Sequence, residues 1–165
     1  HLINQVWNSR PSLPSKMIEI HQLKYSGEST VSKIRKVKNE LKKENADYYF
    51  LSTLDDIAWL FNIRSTDVDF TPLVISYGLI GKDKSYIFCN KHRFNDETIT
   101  IFNKLSIEIL NYDSLGKKLP ELSNNKKIRI RTITEKKFNK TVSLISLKFV
   151  SNIEAINSCE EAVLN

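Results

Sequence analysis

Residues 46–77 read ADYYFLSTLDDIAWLFNIRSTDVDFTPLVISY, and the rest of the chain is organised around this stretch. Tyr48 to Leu51 are aromatic or aliphatic, which predicts a strand covered on both faces. The apolar side chains of Ile57 to Phe61 fill almost every side of a short helix, so we expect that helix to be buried all round. A polar loop, Asn62 to Thr71, then separates the helix from an apolar run, Leu73 to Tyr77. Such a loop between apolar elements either presents a functional surface or simply connects two strands.

Length and composition favour one folded domain. The chain has 165 residues, of which 41% are hydrophobic, enough for a sizeable core. No run reaches about 18 apolar residues and no signal pattern is visible, so we expect neither a membrane span nor secretion. The net charge of +6 is moderate, and the sequence gives little support for a nucleic-acid partner. Cys89 and Cys159 predict buried free thiols rather than a disulfide framework. An intracellular, cytoplasmic location fits best.

The clearest helix runs from Ser29 to Asn45. Ser29 or Thr30 can cap it, and an apolar stripe follows at helical spacing. The stripe consists of Val31, Ile34, Val37 and Leu41, and the opposite face carries Lys33, Arg35, Lys36, Lys38, Lys42 and Lys43. That basic face is interpreted as a solvated outer surface, with contact to phosphates or anionic lipid as the alternative.

The remaining segments alternate between strands and helices. They are an edge strand or extended lead-in at 18–25, a hairpin of 73–80 with 85–89, a helix capped by Asp96, a strand at 107–112, a short helix at 114–122, a half-exposed strand at 127–133 and a final helix from 151. Residues 135–145 fit helix and strand equally. This order predicts a three-layer α/β domain whose mixed sheet is flanked by helices.

No catalytic or metal-binding constellation emerges from the residues. The chain contains no phosphate-binding loop, dinucleotide fingerprint, zinc-protease helix motif or paired CxxC motif. Asp55 and Asp56 fit helix capping better than acid–base catalysis. Asp67 and Asp69 offer carboxylates to a cation, but the alternative is that they are solvated loop acids paired with Arg64. We therefore expect no catalytic residue, no metal ligand and no cofactor in this chain.

The stretch TLDDIAWLFNIRSTDVDFTPLVISYGLI, residues 53–80, resembles eukaryotic-type three-domain Xaa-Pro aminopeptidase (aminopeptidase P). That family typically reads T-x-L-D-E-I-A-W-L-x-N-[LI]-R-G-x-D here, followed by Asn-Pro and a strand with Ser-Tyr-Ala. WNSRP at 7–11 and YSG at 25–27 resemble further family motifs, in the same order and spacing. From Asn90 onward the similarity is one of pattern only, until the last helix. Four departures are Asp56 for Glu, Ser65 for Gly, Thr71 for Asn and Gly78 for Ala. If the family glycine has a positive φ, Ser65 must be strained or shift the loop.

The resemblance implies that this chain is the family's middle domain, a non-catalytic creatinase/prolidase N-terminal-domain-like fold. It implies an arm at 1–17, the α/β domain at 18–150 and, at 151–165, the start of a helix into a catalytic domain. Catalysis would belong to that further domain, which holds two divalent metal ions, usually manganese, and cleaves before proline in peptide substrates. The implied partners are the catalytic domain, the first N-terminal domain and a second subunit of a homodimer.

Within that resemblance, Asn62, Arg64, Asp67 and Pro72 are the candidates for a surface that faces the active-site cleft or the dimer interface. The alternative is that Arg64 and Asp67 only brace the loop as an ion pair. A different class of function is a protein-interaction module of an aminopeptidase-like protein that has lost its metals, for which the basic helix face would suit an acidic partner.

Overall fold

A computed structural model describes residues 9, 11–124, 126–131 and 147–150. The strands are β1 Glu19–Ile20, β2 Tyr48–Leu51, β3 Ile63–Arg64, β4 Tyr77–Gly81, β5 Ser85–Phe88, β6 Ile107–Leu110, β7 Ile128–Arg131 and β8 Leu147–Val150. The α-helices are α1 Leu23–Ser26, α2 Thr30–Lys43, α3 Leu54–Phe61, α4 Asp96–Lys104 and α5 Leu115–Ser123. The predicted helix after residue 151 and the undecided segment 135–145 lie outside the described residues.

Six of the described strands form one mixed sheet in the order β6-β5-β4-β2-β7-β8. Strand β2 lies in its middle, antiparallel to β4 and parallel to β7. A parallel neighbour requires a crossover, and α3 to α5 and the hairpin lie between β2 and β7 in sequence. The mixed sheet flanked by helices that the sequence predicts is thus confirmed.

The alternation of side chains along β2 divides the core into two layers. Tyr49 and Leu51 pack with the buried residues of α2, α3 and α4 on one face, whereas Phe50 packs with Leu115 and Leu119 of α5 on the other. Successive side chains of a strand point to opposite faces, so a four-residue apolar run can serve both layers. The three-layer arrangement follows from this division.

Local capping explains where two of the helices begin. Ser29 accepts a hydrogen bond from the backbone N–H of Ser32, as the sequence predicts for α2. Helix α4 is capped by Asn95, whose side chain accepts from Thr98 N, and not by Asp96. Asparagine performs the same role as aspartate at this position, so the prediction was wrong by one residue.

Several expectations about side chains and boundaries were wrong because they depend on neighbouring elements. Trp59 of α3 is 50% exposed, so that helix is not buried all round. Arg129 of β7 is 8% exposed, although alternation placed it on an open face, and it lies 3.5 Å from a carboxylate oxygen of Glu44. The segment 18–25 divides into a two-residue strand and helix α1. Strand β4 starts at Tyr77 rather than Leu73.

Candidate functional site

The polar loop between α3 and β4 begins where α3 ends, at Asn62, and includes the short strand β3. This residue has φ 52° and ψ 47°, a left-handed conformation that asparagine tolerates better than most residues. Its side-chain carbonyl accepts a hydrogen bond of 2.6 Å from Lys33 Nζ, and its amide donates one of 2.9 Å to the backbone oxygen of Glu28. Asn62 is 5% exposed, and its side chain joins α3 to α2 inside the domain.

Lys33 is the buried residue that donates a hydrogen bond to Asn62. Its side chain is 1% exposed, and Nζ donates to the backbone oxygen of Trp59 at 2.8 Å as well as to Asn62. The ammonium also lies 4.5 Å from the centre of the Trp59 ring, a favourable cation–π distance. Burial lowers the pKa of this lysine. Its assignment to the solvated basic face of α2 was therefore wrong, because α3 covers that edge of the helix.

Arg64 is half-buried and contacts the backbone of its own segment. Its Nη1 donates to the carbonyl oxygens of Ala58 at 2.7 Å and Ile63 at 2.8 Å. Cations commonly bind the free carbonyls at the C-terminal end of a helix, and Ala58 lies in the last turn of α3. The ion pair between Arg64 and Asp67, which the sequence left open as an alternative, is not formed, because Asp67 bonds to Arg93.

Asp67 forms a buried ion pair with Arg93, a residue that sequence reasoning did not single out. Asp67 Oδ1 lies 2.6 Å from Arg93 Nη2, and the two side chains are 0% and 2% exposed. The second carboxylate oxygen accepts a hydrogen bond of 2.8 Å from Ile75 N. That bond explains why β4 starts late, since the N–H of Ile75 binds a side chain instead of a neighbouring strand.

Arg93 binds four residues in three separate segments of the chain. Besides Asp67, its Nε donates to Lys16 O at 2.8 Å, Nη2 donates to Ser65 Oγ at 3.1 Å and Nη1 lies 3.5 Å from Cys89 Sγ. A guanidinium offers five donors in a fixed plane, which suits such a junction. No local pattern marks Arg93, because it follows Lys91 and His92 in what looks like a polar turn.

The structure explains two of the positions at which this chain departs from the family motif, Ser65 and Gly78. Ser65 is not among the described residues with positive φ, so it needs no strained backbone, and its hydroxyl bonds both Arg93 and Met17 O. A Cβ added to Gly78 would lie 3.0 Å from Leu51 Cδ1 and 3.2 Å from Phe61 Cε2. Glycine at 78 therefore leaves room for large side chains from β2 and α3.

The exposed part of the loop is its tip, residues 69–72. Val68 and Thr71 form an antiparallel bridge, and Thr71 N donates to Val68 O at 3.2 Å. Phe70 lies at the turn with φ 62°, and its side chain is fully exposed at 106% of its reference area. A bulky residue with positive φ is an outlier, and such residues persist where the surrounding contacts fix the backbone. Pro72 is exposed beside it.

The other candidate groups do not assemble into a site among the described residues. No group of three or more His, Cys, Asp or Glu side chains in that part of the chain is placed to hold a metal ion. Asp56 accepts a hydrogen bond from Thr53 at the start of α3, and Asp55 and Asp56 both lie in its first turn. Cys89 is buried and burial raises the pKa of its thiol. No described helix is long and apolar enough to cross a membrane.

The sequence profile of the creatinase/prolidase N-terminal domain matches residues 9–162, nearly the whole chain. The chain belongs to the creatinase/prolidase N-terminal domain family. Its fold agrees: the X-prolyl aminopeptidase of Caenorhabditis elegans superposes with a TM-score of 0.67 and 24% identity, over 74% of this chain and 20% of that one. That protein is described as a cytosolic enzyme with a di-nuclear active site.

Curated relatives of this creatinase/prolidase N-terminal domain carry aminopeptidase names. Aminopeptidase P1 of Arabidopsis thaliana is 33% identical over 111 residues, which are 67% of this chain and 17% of the relative. A probable Xaa-Pro aminopeptidase P of Neurospora crassa is 34% identical over 125 residues, 75% of this chain and 18% of the relative. The chain thus spans about a fifth of the length of the relatives it matches.

Proposed function

We propose that this chain is the middle, non-catalytic domain of a metal-dependent Xaa-Pro aminopeptidase, which removes an N-terminal residue that precedes proline. The observation that supports the proposal is the match to an aminopeptidase P1 and to a probable Xaa-Pro aminopeptidase P, across 67% and 75% of the chain. The enzyme would act in the cytoplasm as a homodimer, and this domain would contact the catalytic domain and the first N-terminal domain.

The metal ions of the proposed enzyme would be bound outside the described residues. The family resemblance implies two divalent ions, usually manganese, and such ions require a set of carboxylate and histidine ligands. The described residues provide no group of three such side chains, so they do not fit the metals. No step of peptide hydrolysis is therefore assigned to this chain, and its proposed contribution is to position and shield the active-site cleft.

The proposed contact surface is narrower than the four candidates from the sequence. Asn62, Arg64 and Asp67 bond to other groups inside the domain and act as its supports. Pro72 and Phe70 are the exposed members, and a rigid aromatic side chain is a common anchor at protein interfaces. The buried bonds of Asp67 hold the loop in the conformation that presents Phe70.

Phe70→Gly in the full-length protein tests this surface. Glycine removes the exposed ring and relieves the positive φ, so the domain should be at least as stable as the wild type. We expect manganese-dependent release of the first residue from an Xaa-Pro-Pro peptide to fall about tenfold or more, or the dimer to weaken equally, the effect of losing an interface anchor.

Tyr25→Ser is the matched control, because Tyr25 is an exposed aromatic residue (67%) on α1, outside the loop. Its activity and dimerisation should match the wild type. Unchanged activity and unchanged dimerisation in Phe70→Gly would overturn the proposed contact surface. If the wild type with manganese releases no residue from the peptide, the proposed aminopeptidase function itself is overturned.

A further inference from the structure

A basic groove lies on the outer side of α2, away from the loop. Its volume is about 280 Å³, and it is bounded by α2, the turn between β4 and β5, and the end of α4. Val31, Arg35, Lys38 and Lys42 follow one another at spacings of four, three and four residues, so they lie along one face of the helix. The groove is thus a continuous strip about three turns long.

The wall opposite α2 is formed by Lys82 and Leu105, and Leu105 adds apolar surface to the groove. Leu105, at the end of α4, lines it together with Ile34 and Val31, and Val31 is 42% exposed. Lys38 Nζ donates to the backbone oxygen of Asp83 at 3.2 Å, which ties the helix to the hairpin turn. The groove therefore combines an apolar floor with a basic rim.

The positive charges of α2 are not equally compensated. Lys36 lies 2.7 Å from Glu28 and Lys43 lies 2.6 Å from Glu40, so these two exposed lysines outside the groove have carboxylate partners. Arg35 and Lys42, which line it, form no ion pair with a described residue, and no described lining residue is acidic.

Lys82 on the opposite wall is paired with Asp47 at 3.0 Å, so its charge is already balanced. The uncompensated positive potential is therefore concentrated on the α2 side of the groove, where Arg35, Lys38 and Lys42 lie. Carboxylates of a ligand are attracted there by both the local potential and the net charge of +6.

We propose that this groove binds an acidic peptide segment that carries an apolar side chain between its carboxylates. The rim selects the carboxylates, and the apolar floor, where Val31 is exposed, selects the central side chain. A nucleic-acid strand fits less well, since no described lining residue is aromatic and strands bind chiefly by stacking on aromatic rings. The inference does not depend on the proposed peptidase function.

The test uses the full-length protein and a fluorescein-labelled peptide, Glu-Glu-Leu-Glu-Glu, whose binding is followed by fluorescence anisotropy at low salt. We expect saturable binding that weakens as salt is added, because exposed charges are screened. Arg35→Glu combined with Lys42→Glu should lower the affinity about tenfold or more. Replacing the central leucine of the peptide by serine, or Val31→Ser in the protein, should each weaken binding about threefold or more.

Lys91→Glu combined with Lys117→Glu is the matched control, because both lysines are exposed, lie outside the groove and give the same change in net charge. Circular dichroism melts establish that each variant is folded. The proposal would be overturned if the two double variants lost affinity equally, or if binding did not depend on the leucine of the peptide. It would also be overturned if an oligothymidine of equal charge bound more tightly, or if the peptide showed no saturable binding.

Discussion

Removing the carboxylate of Asp67 is the most informative perturbation of the loop. In Asp67→Ala the guanidinium of Arg93, which is 2% exposed in the wild type, keeps its charge but loses the carboxylate that it pairs with. The backbone N–H of Ile75 loses its acceptor at the same time. Breaking one partner of a buried pair costs about 3–5 kcal/mol, because the remaining charge is left uncompensated.

The expected loss is large enough to measure by urea denaturation and thermal melting. At about 2–4 °C per kcal/mol for a domain of this size, the midpoint should fall by about 6–20 °C. Adding Arg93→Met should recover part of the loss, because an apolar side chain of similar length leaves no buried charge. With Arg93→Met measured alone as well, the double-mutant cycle gives the coupling energy of the pair.

Glu121→Ala is the matched control for Asp67→Ala. Glu121 pairs with Lys118 at 3.0 Å, but its side chain is 62% exposed, so its loss should change stability by less than about 1 kcal/mol. If Asp67→Ala costs no more than this control, Asp67 and Arg93 do not form the buried pair that supports the loop.

Three further variants test other parts of the domain. The pKa of Asp47 is lowered first by a backbone hydrogen bond and then by an ion pair, so its contribution to stability is present above its unfolded pKa of about 3.9 and is lost as pH falls through the lower folded pKa. The loss of stability in Asp47→Asn, measured by urea titration, should therefore shrink from pH 7 to pH 2.5. A loss that stays constant with pH would contradict this. Gly78→Ala should cost about 1–3 kcal/mol in thermal melts, because its Cβ would lie 3.0 Å from a leucine side chain. Gly116→Ala, with nothing within 4 Å, should be neutral or stabilising, and equal effects would refute the close contact. Lys33→Met should cost about 1–3 kcal/mol by leaving the buried side-chain oxygen of Asn62 without its donor, whereas Lys36→Met on the exposed side of α2 should change stability little.

Local patterns were sufficient to predict most of the fold. The apolar stripe and the serine cap place α2 within two residues of its observed ends, since both signals are contained in the helix itself. The hairpin of β4 and β5 and the strand β7 follow equally from short-range alternation and turn residues. The burial of Lys33 and Arg129 was not predicted, because residues of other helices and strands cover these side chains.

The candidate site was less predictable for the same reason. The sequence indicates that the loop between α3 and β4 is polar, but the partner it offers for Asp67, as an alternative, is the nearest arginine, Arg64. The structure pairs it with Arg93, which is 26 residues away and has no distinguishing local signal. The exposed Phe70 likewise stands out only through its backbone conformation, which no periodicity indicates.

Peptide release by the full-length protein tests the central proposal most directly. Loaded with manganese, that protein should release the first residue from an Xaa-Pro-Pro peptide, and the isolated segment 9–162 should release none under the same conditions. Release by the isolated segment, or none by the metal-loaded full-length protein, would contradict the assignment of this chain as the non-catalytic domain of a Xaa-Pro aminopeptidase.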